Sequence, residues 1–133
     1  MKIFIDSANL QDIENALKRG FVRGITTNPS ILSKEPKGVF KDHIKKIVDL
    51  IRQYQPDTHL SVEVFSRNTE EIVRQARDFV ESFAHPHLSV KIQVGWDELE
   101  AIRRVSQEGI SVNCTCCMTT NQAIMAAAAG ARY

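Results

Sequence analysis

The sequence predicts an α/β chain of parallel strands whose polar faces line an enclosed interior. Two observations carry that prediction. Strand-like runs alternate with helical patterns along the whole chain, and each later strand is apolar on one face and polar on the other.

The first strand is KIFID (2–6). A helix opens near Ser7 or Asn9, repeats Leu10, Ile13, Ala16 and Leu17 at helical spacing and stops at Gly20. VRGIT (22–26) is the second strand. The next helical stripe carries Phe40, Ile44, Ile47, Val48 and Ile51, before Pro56 closes the segment. LSVEV (60–64) follows as the third strand. Asn68-x-x-Glu71 then forms a capping-box variant ahead of Ile72, Val73, Ala76, Phe79, Val80 and Phe83. The fourth strand is LSVKIQV (88–94), and Asp97 starts a helix through Leu99, Ile102 and Val105 that ends by Gly109. ISVNCT (110–115) is the fifth strand, followed by a helix from about Thr120 through the alanine run to Gly130. Ala131, Arg132 and Tyr133 open a sixth strand.

Helical connections between successive strands imply parallel pairing with right-handed crossovers. A doubly wound open sheet of the flavodoxin type is the rival arrangement, but its strands are buried on both faces and read as near-continuous apolar runs. Here Ser61 and Glu63 share one face of the third strand; Ser89, Lys91 and Gln93 share one face of the fourth, and Ser111, Asn113 and Thr115 one face of the fifth. Val62, Val64, Val90, Ile92, Val94, Val112 and Cys114 fill the opposite face, which meets the helices. Polar faces of parallel strands are tolerated where they converge inside a closed barrel and satisfy one another. The expected fold is therefore of the (β/α)8 TIM-barrel class, with five βα units and the start of a sixth strand present. The same parity turns Phe4 and Asp6 inward and puts Thr26 and Asn28 at the exit of the second strand, where such barrels place their chemistry.

At 133 residues, with 43% hydrophobic and 25% charged side chains, residues 1–133 read as a single domain. A net charge of +1 without a run of like charge gives no argument for nucleic acid or an anionic membrane, and leaves a small molecule or another copy of the chain as the partner. No apolar stretch approaches the ~20 residues that cross a bilayer. MKIFID reads as a strand without the apolar region of a signal peptide, so a cytoplasmic location is expected. Cys114, Cys116 and Cys117 crowd into one segment with no other cysteine to pair with, and are read as buried structural thiols. The four histidines lack metal spacing: His85 and His87 flank a proline in a loop, and His43 and His59 are read as solvated. Trp96 is assigned to core or loop packing, with walling of the site as the other reading.

A lysine held in a partly desolvated interior has its charged form disfavoured, and the neutral amine is a nucleophile toward a carbonyl. For Lys91 the alternative is a structural lysine neutralised by Glu63 or Asp6. Asp6 either moves the proton of a sugar hydroxyl or caps the first helix. Glu63 with Thr115 is suited to hold a water for carbinolamine formation and imine hydrolysis, and Asn28 and Asn113 to bond substrate hydroxyls. For Asn28, a turn before Pro29 is the competing explanation.

FIDSAN, GITTNPSIL, SVEV, VKIQV, VNCT and NQAIMAAAAGARY together resemble, in order and spacing, the small transaldolase family with its related fructose-6-phosphate aldolases. The resemblance covers the whole chain and implies Lys91 as Schiff-base lysine, Asp6 as general acid/base, and Glu63 and Thr115 as handlers of the catalytic water. It further implies Asn28 and Asn113 as substrate ligands, with Thr27 and Ser30 on the same substrate-side loop. Glu63 and Asn113 favour the transaldolase branch, since the aldolase branch tends to carry glutamine on the third strand. The implied reaction is transfer of a dihydroxyacetone unit between sugar phosphates of the pentose phosphate pathway, without metal or organic cofactor. Substrates of the fructose 6-phosphate, sedoheptulose 7-phosphate and erythrose 4-phosphate type and a pentameric or decameric homo-oligomer are expected.

Gln93 stands where the family's lysine strand usually has proline, and Cys116-Cys117-Met118-Thr119 replaces larger aliphatic or aromatic residues followed by serine. Full barrels run from ~200 residues upward, and the family's phosphate-binding arginine and a pocket aromatic lie beyond Tyr133. The chain is accordingly expected to be incomplete at its C-terminus. Two alternatives stay open: a simple aldolase using the same imine chemistry, and a catalytically inactive truncated barrel acting as an assembly module.

Overall fold

The computed structural model describes residues 1–133. Five strands alternate with six helices: β1 (Ile3–Asp6), α1 (Leu10–Lys18), β2 (Val22–Thr26), α2 (Pro29–Leu32), α3 (Phe40–Tyr54), β3 (His59–Glu63), α4 (Thr69–Phe83), β4 (Leu88–Gln93), α5 (Glu98–Gln107), β5 (Val112–Thr115) and α6 (Thr120–Ala129). The strands are hydrogen-bonded in chain order. Two compact units divide the chain: Met1–Val62 with Ser82–Leu88, and Glu63–Glu81 with Ser89–Tyr133.

In the first unit β1, β2 and β3 pair in parallel, and register aligns Phe4, Gly24 and His59 in one row and Asp6, Thr26 and Ser61 in the next. The Leu60 amide bonds the His87 carbonyl at 3.0 Å. Asn9 caps α1, its Oδ1 accepting from the Asp12 amide at 3.0 Å, so Asp6 is left free of the capping role that competed for it. The α3 stripe Ile44, Ile47, Val48 and Ile51 is buried as its spacing predicts. Removing each such side chain from water contributes roughly 1.5–3 kcal/mol before the entropy of ordering is subtracted.

One element was not anticipated. Pro29–Leu32 forms a single helical turn with Asn28 as its cap and proline at the first position, where a missing N–H costs nothing.

The second unit holds the β4–β5 pair, with Lys91 opposite Asn113 and Gln93 opposite Thr115, and the Val64 amide bonded to the Lys91 carbonyl at 3.1 Å. Asn68 caps α4 through the Glu71 amide, but the reciprocal half of the expected capping box is absent. Glu71 is instead engaged by Arg74 and Gln75, whose hydrogen bonds hold its carboxyl down at about 2. A complete capping box appears at α6, where Thr119 and Gln122 bond reciprocally, and Gly130 ends that helix in the left-handed region at φ 106°. Beyond it, the Arg132 amide reaches the Val112 carbonyl and the Cys114 amide reaches the Tyr133 carbonyl, so the tail pairs with β5 as the opening of a strand would. No helix is long and apolar enough to cross a membrane.

Two histidines, His59 and His43, depart from the sequence expectation, and a third, His85 in its loop, is buried. His59 is buried, stacked on Phe4 with centroids 5.2 Å apart, and its Nε2 lies 2.7 Å from Ser61 Oγ. β3 begins one residue earlier than its apolar run suggests, and that places His59 on the polar face among partners. His43 is half-buried with Nε2 2.7 Å from the Ala8 carbonyl. His85 is buried, its Nε2 donating to the Thr58 carbonyl at 2.8 Å while Nδ1 has no partner.

Burial pushes the His85 imidazole below its ordinary 6.5, overriding the Thr58 bond that acts the other way. As pH falls through that value the unfolded chain takes up a proton that the folded one refuses. Stability is therefore complete above 6.5 and lost progressively below it. The urea midpoint is expected to fall between about pH 7.5 and about pH 5.5, and to fall less in a His85→Gln variant, whose amide keeps the donor without titrating. Equal falls in the two proteins would show that His85 does not carry the effect.

Candidate active site

On the polar strand faces Ser61 and Ser89 are fully buried and Lys91 is 7% exposed, while Glu63, Gln93, Ser111, Asn113 and Thr115 are half-buried. Ser89 and Ser111 satisfy each other across β4 and β5 with hydroxyls 2.7 Å apart. One strand step further along, Lys91 Nζ lies 3.5 Å from Glu63 Oε2, with side-chain exposures of 8% and 19%. Pairing is what makes burial of the two ions affordable, because an isolated charge in that position would lose several kcal/mol of hydration. Register sets Asn113 beside Lys91, and Thr115 lies half-buried at the strand end. The structure therefore brings Lys91, Glu63 and Asn113 together near the C-terminal ends of β3, β4 and β5.

In the first unit, Asp6 is exposed at the end of β1 and accepts from Thr26 Oγ1 at 2.7 Å. Asn28 spends Oδ1 on the Ile31 amide at 2.9 Å, which leaves its amide nitrogen for another acceptor. Thr27 is fully buried and its hydroxyl donates to the Ser61 carbonyl at 3.3 Å, tying the start of the loop to β3. Ser30 is exposed. An open surface cleft lined by Leu17, Lys18, Arg23, Tyr54 and Gln55 contains none of these candidates.

Two expectations are corrected around this region. Cys116 is exposed and Cys114 and Cys117 are only half-buried, because β5 ends at Thr115 and the chain turns outward there. Trp96 is 82% exposed and packs in no core, since the turn after β4 carries it outward. A buried acid also escaped notice: Glu98, 4% exposed, takes a salt bridge from Arg67 at 3.0 Å and lies 3.5 Å from Gln93 Nε2. Its side chain occupies the space over Gly95, where an added Cβ would stand 2.0 Å from Oε2. Nothing in the sequence pattern sets Glu98 apart from its neighbours in the first turn of α5, so only the fold exposes its burial.

Five parallel strands joined by helices, with a lysine–carboxylate pair near the strand C-terminal ends, are the arrangement of a (β/α)8-barrel fold. The family described as Transaldolase/Fructose-6-phosphate aldolase matches residues 3–133. Proteins named probable transaldolase from Carboxydothermus hydrogenoformans, Clostridium kluyveri and Desulforapulum autotrophicum are 38%, 39% and 41% identical over 133 residues, all of this chain. The chain spans 58% of the length of each of these relatives. It belongs to the transaldolase/fructose-6-phosphate aldolase family.

Proposed function

We propose that the protein carries the imine-forming part of a transaldolase, acting in the cytoplasm on sugar phosphates of the pentose phosphate pathway and assembling as a pentamer or decamer. The observation that supports it best is the buried Lys91 with Glu63 at 3.5 Å. Lys91 must shed a proton before its nitrogen attacks the ketose carbonyl, and the Glu63 carboxylate is the base within reach. Attack gives a carbinolamine, and loss of water gives the imine. Glu63 and Thr115 hold that water for departure and for the later hydrolysis. Asp6 takes the proton of the substrate hydroxyl as the carbon–carbon bond breaks, leaving a dihydroxyacetone unit on Lys91 for an erythrose 4-phosphate type acceptor. Asn113 and the Asn28 amide nitrogen bond substrate hydroxyls, and Thr27 and Ser30 shape the loop beside them. Glutamate at position 63 favours transfer over simple aldol cleavage of fructose 6-phosphate.

Incubation with fructose 6-phosphate and borohydride is expected to leave a reduced three-carbon adduct on the peptide containing Lys91, read by mass mapping. The competing reading is a catalytically inactive module that acts in assembly. A folded chain that gives no adduct selects that second reading; an adduct on any other lysine overturns the role of Lys91.

A further inference from the structure

We propose that Cys114 and Cys117 form a two-electron redox site, closing under a peroxide-class oxidant to an intrachain disulfide that spans Thr115 and Cys116 and leaves the Cys116 thiol unbonded. In a continued strand, residues three apart stand ~10 Å from each other and point to opposite faces. Here Cys116 adopts φ +64°, in the left-handed region that cysteine rarely enters. The turn this makes brings the Cys117 thiol within 3.6 Å of Cys114 Sγ, donating a hydrogen bond to it. Cys116 points elsewhere, exposed, with Thr115 Oγ1 at 4.0 Å. Both members of the contacting pair keep some exposure, so a small oxidant has access.

The order of events follows from the surroundings. Burial, followed by the adjoining Cys117 thiol, pushes the Cys114 thiol up to about 12. Cys114 therefore stays protonated, and Cys117 is the sulfur that meets peroxide first. Its thiolate attacks one peroxide oxygen: an S–O bond forms, the O–O bond breaks, and hydroxide leaves to be protonated to water. Cys114 sulfur then attacks the sulfenic sulfur, the S–S bond forms, and the S–O bond breaks as a second water departs with the Cys114 proton. Two thiols are oxidised by two electrons and one peroxide is reduced to two waters.

The test treats the chain with one equivalent of hydrogen peroxide, alkylates the remaining thiols and sequences the peptide between Arg104 and Arg132, which holds all three cysteines. A peptide lighter by two hydrogens and alkylated at Cys116 alone is expected, and the same closure in a Cys116→Ser variant. Closure in the folded chain should be at least ~10-fold faster than in urea, where contact is no longer pre-arranged. Equal rates, a bond involving Cys116, an intermolecular disulfide, or Cys117 gaining two oxygens while Cys114 still alkylates would each overturn the proposal.

Discussion

Replacing Lys91 by methionine is expected to abolish the borohydride-trapped adduct completely and to destabilise the fold, and a paired substitution separates the two effects. Lys91 and Glu63 lie 3.5 Å apart with little water around them. Methionine fills the volume of the lysine stem but leaves the Glu63 carboxylate without its counter-ion. Breaking a fully buried pair from one side costs about 3–5 kcal/mol. Because Glu63 keeps 19% of its side chain exposed, a loss nearer 2–3 kcal/mol is expected, read from the urea midpoint. Lys91→Met with Glu63→Gln removes the stranded charge and should recover most of that stability while the adduct stays absent. If the double variant is no more stable than Lys91→Met alone, the ion pair does not hold this part of the sheet together.

Gly24→Val is expected to be the most damaging single change in the first unit. A Cβ at Gly24 would stand 2.6 Å from three atoms of the Phe4 ring, closer than carbon atoms approach. The ring cannot simply swing aside, because it also stacks on His59 at 5.2 Å. Overpacking of this kind costs roughly 1–3 kcal/mol for one added carbon, and valine adds three. Gly24→Ala combined with Phe4→Leu should be more stable than Gly24→Ala alone, since the smaller side chain vacates the space. Strict additivity of the two changes would mean that Phe4 does not cover Gly24.

Much of this was legible in the chain itself. Alternation of period-two and helical patterns located all five strands and five of the six helices, and Gly130 marked the end of α6 as its chemistry dictates. The polar parity of β3 and β4 correctly indicated a face kept from solvent, as burial of Ser61, Ser89 and Lys91 shows, whereas the polar face of β5 is only half-buried. The one-turn helix at Pro29–Leu32 was too short to show a period, so Asn28 was read only for its turn and ligand potential. Histidines misled for a related reason: His59 sits one residue outside its apolar run, and a polar residue at an element boundary looks solvated until its neighbours are known. Cysteine burial was inferred from residue type, and type says nothing about a left-handed turn at Cys116.

Sequence by itself determined the order of elements, the parallel pairing, the family and the candidate residues, because periodicity and motif spacing are properties of neighbours along the chain. Tertiary structure alone decided which charges meet. Glu63 is the partner within 3.5 Å of Lys91, Thr26 is the donor to Asp6, Glu98 is buried against Arg67, and two sulfurs of the CTCC turn touch. Such pairings depend on strand register and on the dihedral angles of single turn residues, and a shift of one residue or one φ would exchange every partner.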